Sequence, residues 1–354
     1  MQTVTEGKAT IKIPRETKIS KQMDVFYNPR MKSNRDITIA VFNAWEKNKL
    51  QIADPFAASG IRAIRILKEC KKEKIESIWL NDHSPDAIKQ IKSNLKLNFP
   101  KKSFMSRANV KIFMKDANMF LLESNGFDYI DLDPFGSPVA FLDSACKRIA
   151  RNGILAVTAT DTSALCGSFP DACKRKYAAT PLRSPIMHEL GLRILIKKCQ
   201  EIAAQYDKAL LPIFSYAKDH YMRVFFQCEK GKTKANEIVE QHKMITINNT
   251  RVGPLWTGKL WDEKFVKKME TEEKETKKFL DVIKEEASIE HVGFYDIHAL
   301  CKKNKLHIPQ YAPLMKAVET AGHNVARTHF SLNGIRSTIA EKELLEIIKK
   351  LNMD

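Results

Sequence analysis

Asp131-Leu-Asp-Pro-Phe-Gly-Ser-Pro138 closes an apolar run, Phe127-Asp-Tyr-Ile-Asp-Leu132, which predicts a buried strand that enters a turn. Pro134 fixes φ, and Gly136 permits a sharp bend. An acid, a proline and an aromatic at the carboxyl end of such a strand suit a flat base bearing an exocyclic amine. Asp133 can accept the amine N–H, and Phe135 can stack on the ring.

Outward from this stretch, strands and helices alternate. On the amino-terminal side, strands are predicted at 50–54, 77–81 and 110–114. A helix over 60–70 places Ile61, Ile64 and Leu67 on one face. Another begins at Ser84-Pro85, where Ser caps and Pro suits the first turn. An earlier helix from Arg35 carries Ile37, Ala40, Val41, Ala44 and Trp45 at helical spacing. On the carboxyl-terminal side, Gly153 to Thr158 reads as a buried strand. Leu210 to Tyr216 and Tyr221 to Phe226 read as a hairpin. This order implies an α/β fold built on a doubly wound parallel sheet, with ligands at the carboxyl ends of the strands. A parallel sheet closed by one antiparallel hairpin is the plan of class I, Rossmann-like methyltransferases.

The flanks are less regular. Residues 1–34 are basic, with a short strand predicted near 10–14 and an apolar lid or turn at Asp24 to Pro29. The division expected is a first domain over 1–230, a linker over 231–262 and a smaller α/β domain over 263–354. In the last, helices are predicted at 294–304, 310–321 and 340–351, with a strand-like segment over 324–330.

Composition narrows the partners. Of 354 residues, 44% are hydrophobic, ample for a core, and no apolar run approaches the ~20 residues of a membrane span. The first residues form no apolar signal region, so a cytoplasmic location and no membrane are expected. Lys and Arg exceed Asp and Glu by 59 to 42, a formal charge of +17 that favours a polyanion such as nucleic acid. The seven cysteines form no CxxC pair, which argues against a zinc ribbon or a disulfide framework and fits a reducing compartment.

Four acids fall at or just after successive strand ends: Asp54, Asp82, Asp116 and Asp133. One such acid is common by chance; four in register line a single crevice. The first loop, Asp54-Pro-Phe-Ala-Ala-Ser-Gly60, lacks both GxGxxG and the GK[ST] ending of a phosphate loop. Asp82 can accept ribose hydroxyls, and Asp116 with the Ala117 N–H can read an adenine edge. The set suits S-adenosylmethionine better than NAD.

With those residues in hand, the chain resembles the tRNA (guanine-26-N2)-dimethyltransferase family, archaeal type, over nearly its whole length. The carrying segments are Phe26-Tyr-Asn-Pro-Arg-Met-Lys-Ser-Asn-Arg-Asp36, Ala58-Ser-Gly-Ile-Arg-Ala-Ile-Arg65, the 131–138 stretch, Thr158 to Leu165, Arg175-Lys-Tyr177 with Pro181-Leu-Arg183, Gly253-Pro-Leu-Trp256, Tyr295-Asp-Ile-His298 and Arg327-Thr-His-Phe330. The resemblance implies methyl transfer from S-adenosylmethionine to guanine N2 in tRNA. It implies cofactor contacts by Arg35, Arg62, Asp82, Asp116 and Ala117, with Asp54 in the same pocket. Asp133 would be the acid-base residue, with Pro134 and Phe135 against the guanine. Arg175, Lys176 and Arg183, with the 291–354 module, are candidates for holding the tRNA body; Arg327 and His329 fit either that task or a structural one. Archaeal relatives often carry a four-cysteine zinc cluster where this chain has Gly231 to Arg251 without cysteine, so no zinc is expected. A monomer is expected. Methylation of another nucleic-acid amine, in DNA or rRNA, and a non-catalytic RNA-binding role are the alternatives.

Overall fold

A computed structural model describes residues 1–15, 25–100 and 109–353. Asp24, the first residue of the expected lid, lies outside them. An N-terminal antiparallel hairpin, β1 (Gln2–Glu6) and β2 (Ala9–Ile13), precedes helix α1 (Lys32–Ala44). Then come β3 (Leu50–Asp54), α2 (Ile61–Glu69), β4 (Ile75–Asn81), α3 (Pro85–Asn98), β5 (Val110–Phe113), α4 (Ala117–Leu122) and β6 (Phe127–Leu132). Next are α5 (Val139–Arg148), β7 (Ile149–Ala159), α6 (Thr162–Leu165), α7 (Pro170–Tyr177), α8 (Met187–Ala204) and the hairpin β8 (Lys208–Lys218) with β9 (Tyr221–Lys230).

The central sheet has seven strands in the order β5-β4-β3-β6-β7-β9-β8. The first five are parallel; β9 runs antiparallel to β7 and β8. This is the doubly wound plan with its closing hairpin. Both faces are covered, so the strands are apolar almost throughout: Ile52, Ile78, Leu80, Ile130, Leu155, Val157 and Phe225 are all buried. The chain winds outward from β3 through β4 to β5, then returns to place β6 on the other side of β3. The order reverses between β3 and β6, and a crevice opens outside the carboxyl ends of the strands there.

Two local devices seat the elements. Ser84 caps α3 by accepting the Ala87 N–H at 3.3 Å, and Asp116 caps α4 through the N–H groups of Asn118 and Met119. Asn94 and Asn98 of α3 bond the backbone of Lys12 and Thr10, covering the open edge of β2. Strand β1 gave no apolar signal because its residues are mostly exposed.

Residues 231–262 fold as helix α9 (Lys232–Val239) and the hairpin β10 (His242–Ile247) with β11 (Thr250–Trp256), packed on α8. Their polar sequence reflects elements covered on one side only. Helices α10 (Glu263–Lys268) and α11 (Lys274–Glu286) contribute Val266, Leu280 and Ile283 to the large core. A second, smaller core begins at Ile297. It joins α12 (Ile297–Asn304), α13 (Tyr311–Thr320) and α14 (Glu341–Leu351) to a three-stranded sheet of β12 (Tyr295–Asp296), β14 (Gly334–Ser337) and β13 (Val325–Arg327).

A buried charge cluster locks this module to the large body. Arg336 bonds Glu189 of α8 at 2.7 Å and Glu286 of α11 at 2.9 Å, and His329 Nδ1 meets Glu286 at 2.7 Å. Burial would raise the Glu189 carboxyl, yet Arg336 and Arg193 hold it at about 2. His329 is therefore a structural residue, and Arg327 stacks over Tyr311 at 3.7 Å.

Among the described residues no helix is long and apolar enough to cross a membrane, and no group of three or more His, Cys, Asp or Glu side chains is placed to hold a metal ion.

Candidate active site at the carboxyl edge of the sheet

A cleft of about 590 Å³ lies at the switch point. Asp54 ends β3, Asp82 follows β4, Asp116 follows β5 and Asp133 follows β6. Parallel strands of similar length bring these four ends to one rim. All four line the cleft, with Arg35, Arg62, Ala117, Pro134 and Phe135, so every residue assigned from the sequence to the chemistry or the cofactor meets there, whereas Arg175, Lys176, Arg183, Arg327 and His329 lie outside it.

The loops are stitched to one another. Asn81 accepts the Lys115 N–H at 3.0 Å and donates to the carbonyls of Pro55 and Lys115. Asp82 accepts the N–H of Ala58 and of Ser84, each at 3.0 Å, with His83 Nδ1 3.5 Å from Oδ1, and it lines the cleft. Asp116 spends Oδ1 on its helix cap. Ala117 is the first residue of α4, so its N–H has no acceptor within the helix.

Asp54 is 5% exposed and forms no ion pair among the described residues. Burial pushes its carboxyl up to about 7; Arg62 draws it back, while Asp131 and Asp133 add to the rise.

The two arginines are largely committed to protein partners. Arg35 grips Glu6 through Nε and Nη2 at 2.7 and 2.6 Å. Arg62 donates from Nη1 to Asn34 at 2.8 Å and Thr38 at 2.9 Å, and from Nη2 to Asp133. Its Nε lies 3.4 Å from Asp131.

Asp131 and its partner Arg223 were not identified from sequence. Arg223 of β9 is fully buried, bonding Asp131 at 3.1 and 2.7 Å and Thr158 at 2.6 Å. Burial would raise the Asp131 carboxyl, but Arg223 and Arg62 hold it below the usual carboxylate range. A lone arginine in the apolar run Tyr221-Met-Arg-Val-Phe-Phe226 was the available signal, since a buried charge requires a partner.

The 133–138 turn is held from its far side. Gly136 adopts φ +78° and exchanges hydrogen bonds with Thr160, at 2.7 and 2.9 Å. Ser137 Oγ lies 2.9 Å from the Tyr177 hydroxyl, which donates to Asp161 at 2.7 Å. Phe135 is 45% exposed at the rim and meets Phe26 edge-on at 4.6 Å. Phe26, from the segment read as a lid, thus faces the cleft opposite the turn. Lys176 pairs with Asp161 at 3.0 Å, whereas Arg175 and Arg183 stand exposed without an ion pair among the described residues.

The arrangement can hold a nucleoside-bearing ligand along the strand ends and present an amine acceptor beside it. A family model described as N2,N2-dimethylguanosine tRNA methyltransferase matches residues 7–250 and 246–349. The chain is 41% identical to the tRNA (guanine(26)-N(2)/guanine(27)-N(2))-dimethyltransferase of Aquifex aeolicus, over 99% of this chain and 96% of that protein. It is 36% identical to the tRNA (guanine(26)-N(2))-dimethyltransferase of Methanothermobacter thermautotrophicus, over 99% of each. The solved structure of Trm1 from Pyrococcus horikoshii with S-adenosyl-L-methionine superposes with a TM-score of 0.89 at 36% identity, covering 98% of this chain and 100% of that one.

Proposed function

The chain belongs to the N2,N2-dimethylguanosine tRNA methyltransferase family, and on that premise we propose that it dimethylates the exocyclic N2 of guanine 26 in tRNA, with S-adenosylmethionine as methyl donor. One observation carries the reading: Asp133, Pro134 and Phe135 stand in the same cleft as the strand-end acids Asp54, Asp82 and Asp116.

The residues present fit the cofactor. Asp82 is placed for ribose hydroxyls, and Asp116 with the Ala117 N–H for an adenine edge. Arg35 and Arg62 border the cleft with few donors to spare, and Asp54, a buried acid with no ion pair among the described residues, suits a ligand bearing positive charge. When bound, S-adenosylmethionine supplies an electrophilic methyl on a sulfonium.

The chain's own part is to position and accept. Arg62 occupies Oδ2 of Asp133, which leaves Oδ1 to accept one N–H of the guanine amine. The Pro134 carbonyl accepts the other. Together they orient the lone pair across the cleft, a positioning effect, and Asp133 takes the proton that the amine loses. After one transfer a single N–H remains, so one of the two acceptors suffices for the second. The target base leaves its stack to enter the cleft, and Phe135, with Phe26 edge-on to it, replaces part of the lost stacking.

Arg175 and Arg183, with the 291–354 module, hold the tRNA body; Lys176 serves less directly, being paired with Asp161. On this reading the protein acts as a monomer, and residues 231–251, which contain no cysteine, hold no zinc. A tRNA substrate fits a cytoplasmic location. Guanine 27 is a second target on this reading, favoured by the Aquifex aeolicus relative, which is named for both positions.

The test is mass spectrometry of unmodified tRNA transcript after incubation with the protein and S-adenosylmethionine. Dimethylguanosine lost when guanine 26 is changed establishes reaction and site; a residue that persists until guanine 27 is also changed establishes the second target. No methylation of tRNA despite cofactor binding overturns the reading in favour of DNA, rRNA or a binding role.

A further inference from the structure

Apart from histidines, two aromatic side chains are largely exposed among the described residues: Phe135, at 45%, and Phe169, at 63%. The first borders the cleft. The second lies outside it, just before α7, and the proposed chemistry makes no use of it.

The two are mechanically joined. Phe135 belongs to the turn whose Ser137 meets the Tyr177 hydroxyl at 2.9 Å. Tyr177 is the buried last residue of α7, the helix that Phe169 introduces. At ~1.5 Å per residue, α7 sets Phe169 roughly 12 Å from that anchor, the reach of three or four stacked bases.

The bend at Phe169 is rigid. Ser163 O accepts the N–H groups of both Ser168 and Phe169, at 2.9 and 3.1 Å. Gly167, at φ +87°, lies so close to the backbone of Arg183 that a Cβ there would stand 2.8 Å from its nitrogen. That approach brings the backbone of the exposed Arg183, which has no ion pair among the described residues, beside the bend, and Arg175 is exposed on α7 itself. An apolar ring exposed on a braced bend, with Arg183 on the adjoining segment and Arg175 on the helix that follows, has the composition of a nucleic-acid stacking platform.

We propose that Phe169 is a platform on which a nucleotide of the tRNA stacks, one other than the target guanine, keeping the RNA registered against the cleft while the target base is extruded. The proposal rests on the tRNA reading above. Arg175 and Arg183 supply phosphate contacts, and the Ser137–Tyr177 contact ties the platform to the turn that carries the acceptor.

The full-length protein and its Phe169→Ala, Phe169→Leu and Phe169→Trp variants test this. Affinity for unmodified tRNA transcript is read by fluorescence anisotropy and that for S-adenosylmethionine by calorimetry. Expected is a loss of tRNA affinity of about five- to hundredfold in Phe169→Ala. Phe169→Leu should stay impaired and Phe169→Trp return to within about twofold, with cofactor affinity unchanged in all three. Tight tRNA binding by Phe169→Ala overturns the platform, as does rescue by Leu equal to that by Trp. A wild-type protein that neither binds nor methylates tRNA defeats the underlying reading instead, so the two failures are distinct.

Discussion

The guanidinium of Arg62 spans the two acids of Asp131-Leu-Asp133, with Nε 3.4 Å from Asp131 and Nη2 donating to Asp133. Asp133 lies just past the end of β6, two residues after Asp131, and Arg62 of α2 serves both carboxylates together. Asp131 is in turn gripped by Arg223. The acceptor at the cleft is thus the outer end of a chain of alternating charge that runs from β9 through β6 to α2.

If Asp133 accepts the amine proton, Asp133→Ala should lower kcat by about 100- to 10,000-fold while leaving S-adenosylmethionine affinity near wild type. Single-turnover methylation of tRNA transcript measures this. Retention of more than about a tenth of the rate would remove Asp133 from the centre of the chemistry.

Phe135→Ala should weaken kcat/KM for tRNA by about five- to hundredfold, the cost of one lost base–aromatic stack. Cofactor affinity, measured by calorimetry, should not change. A variant as active as wild type would show that the exposed ring does not meet the base.

Arg223→Met leaves Asp131 charged, buried and deprived of its main partner. The expected loss is about 3–5 kcal/mol in urea denaturation. Adding Asp131→Leu should recover more than half of it, because the orphaned charge then disappears. Strictly additive losses would contradict the pairing.

Asp54 gives a pH dependence of defined sign. Its folded-state carboxyl titrates at about 7 against 3.8 ordinarily. Between those values the unfolded chain has released the proton while the folded protein keeps it, so stability falls as pH rises through this window. Asp54→Asn removes the effect. Its stability relative to wild type should be greater at pH 8 than at pH 4, read by denaturation at each pH without cofactor. An equal difference at both would mean that the folded acid titrates normally.

Arg336→Met strips Glu189 and Glu286 of their shared guanidinium at the contact between the two cores. A loss of about 3–5 kcal/mol is expected, with faster proteolytic release of the C-terminal module. Unchanged proteolysis would indicate that apolar contacts alone hold the module.

Much of the site was legible because it follows from local pattern. Apolar runs of strand length, each ending in an acid and a turn, place Asp54, Asp82, Asp116 and Asp133 at one edge once the strands are parallel. Strand β6 and its turn were readable to the residue, since Pro134 and Gly136 leave the backbone few alternatives. Phe26 was read only as part of an apolar lid, because nothing local says which side of the cleft a loop will cover.

By itself, then, the sequence determined the order of strands and helices in the central sheet, the strand-end acids and the family, all properties of short windows or of their succession. Only the tertiary structure decided which charges neutralise one another. Arg223 lies far along the chain from Asp131, and Arg336 farther still from Glu189; each pair exists because folding buries both partners and desolvation forces them together. It also decided that Phe169 stays in water on a braced bend, tied through Tyr177 to the turn that carries Phe135. Such pairings depend on distance in space, which no periodicity along a chain encodes.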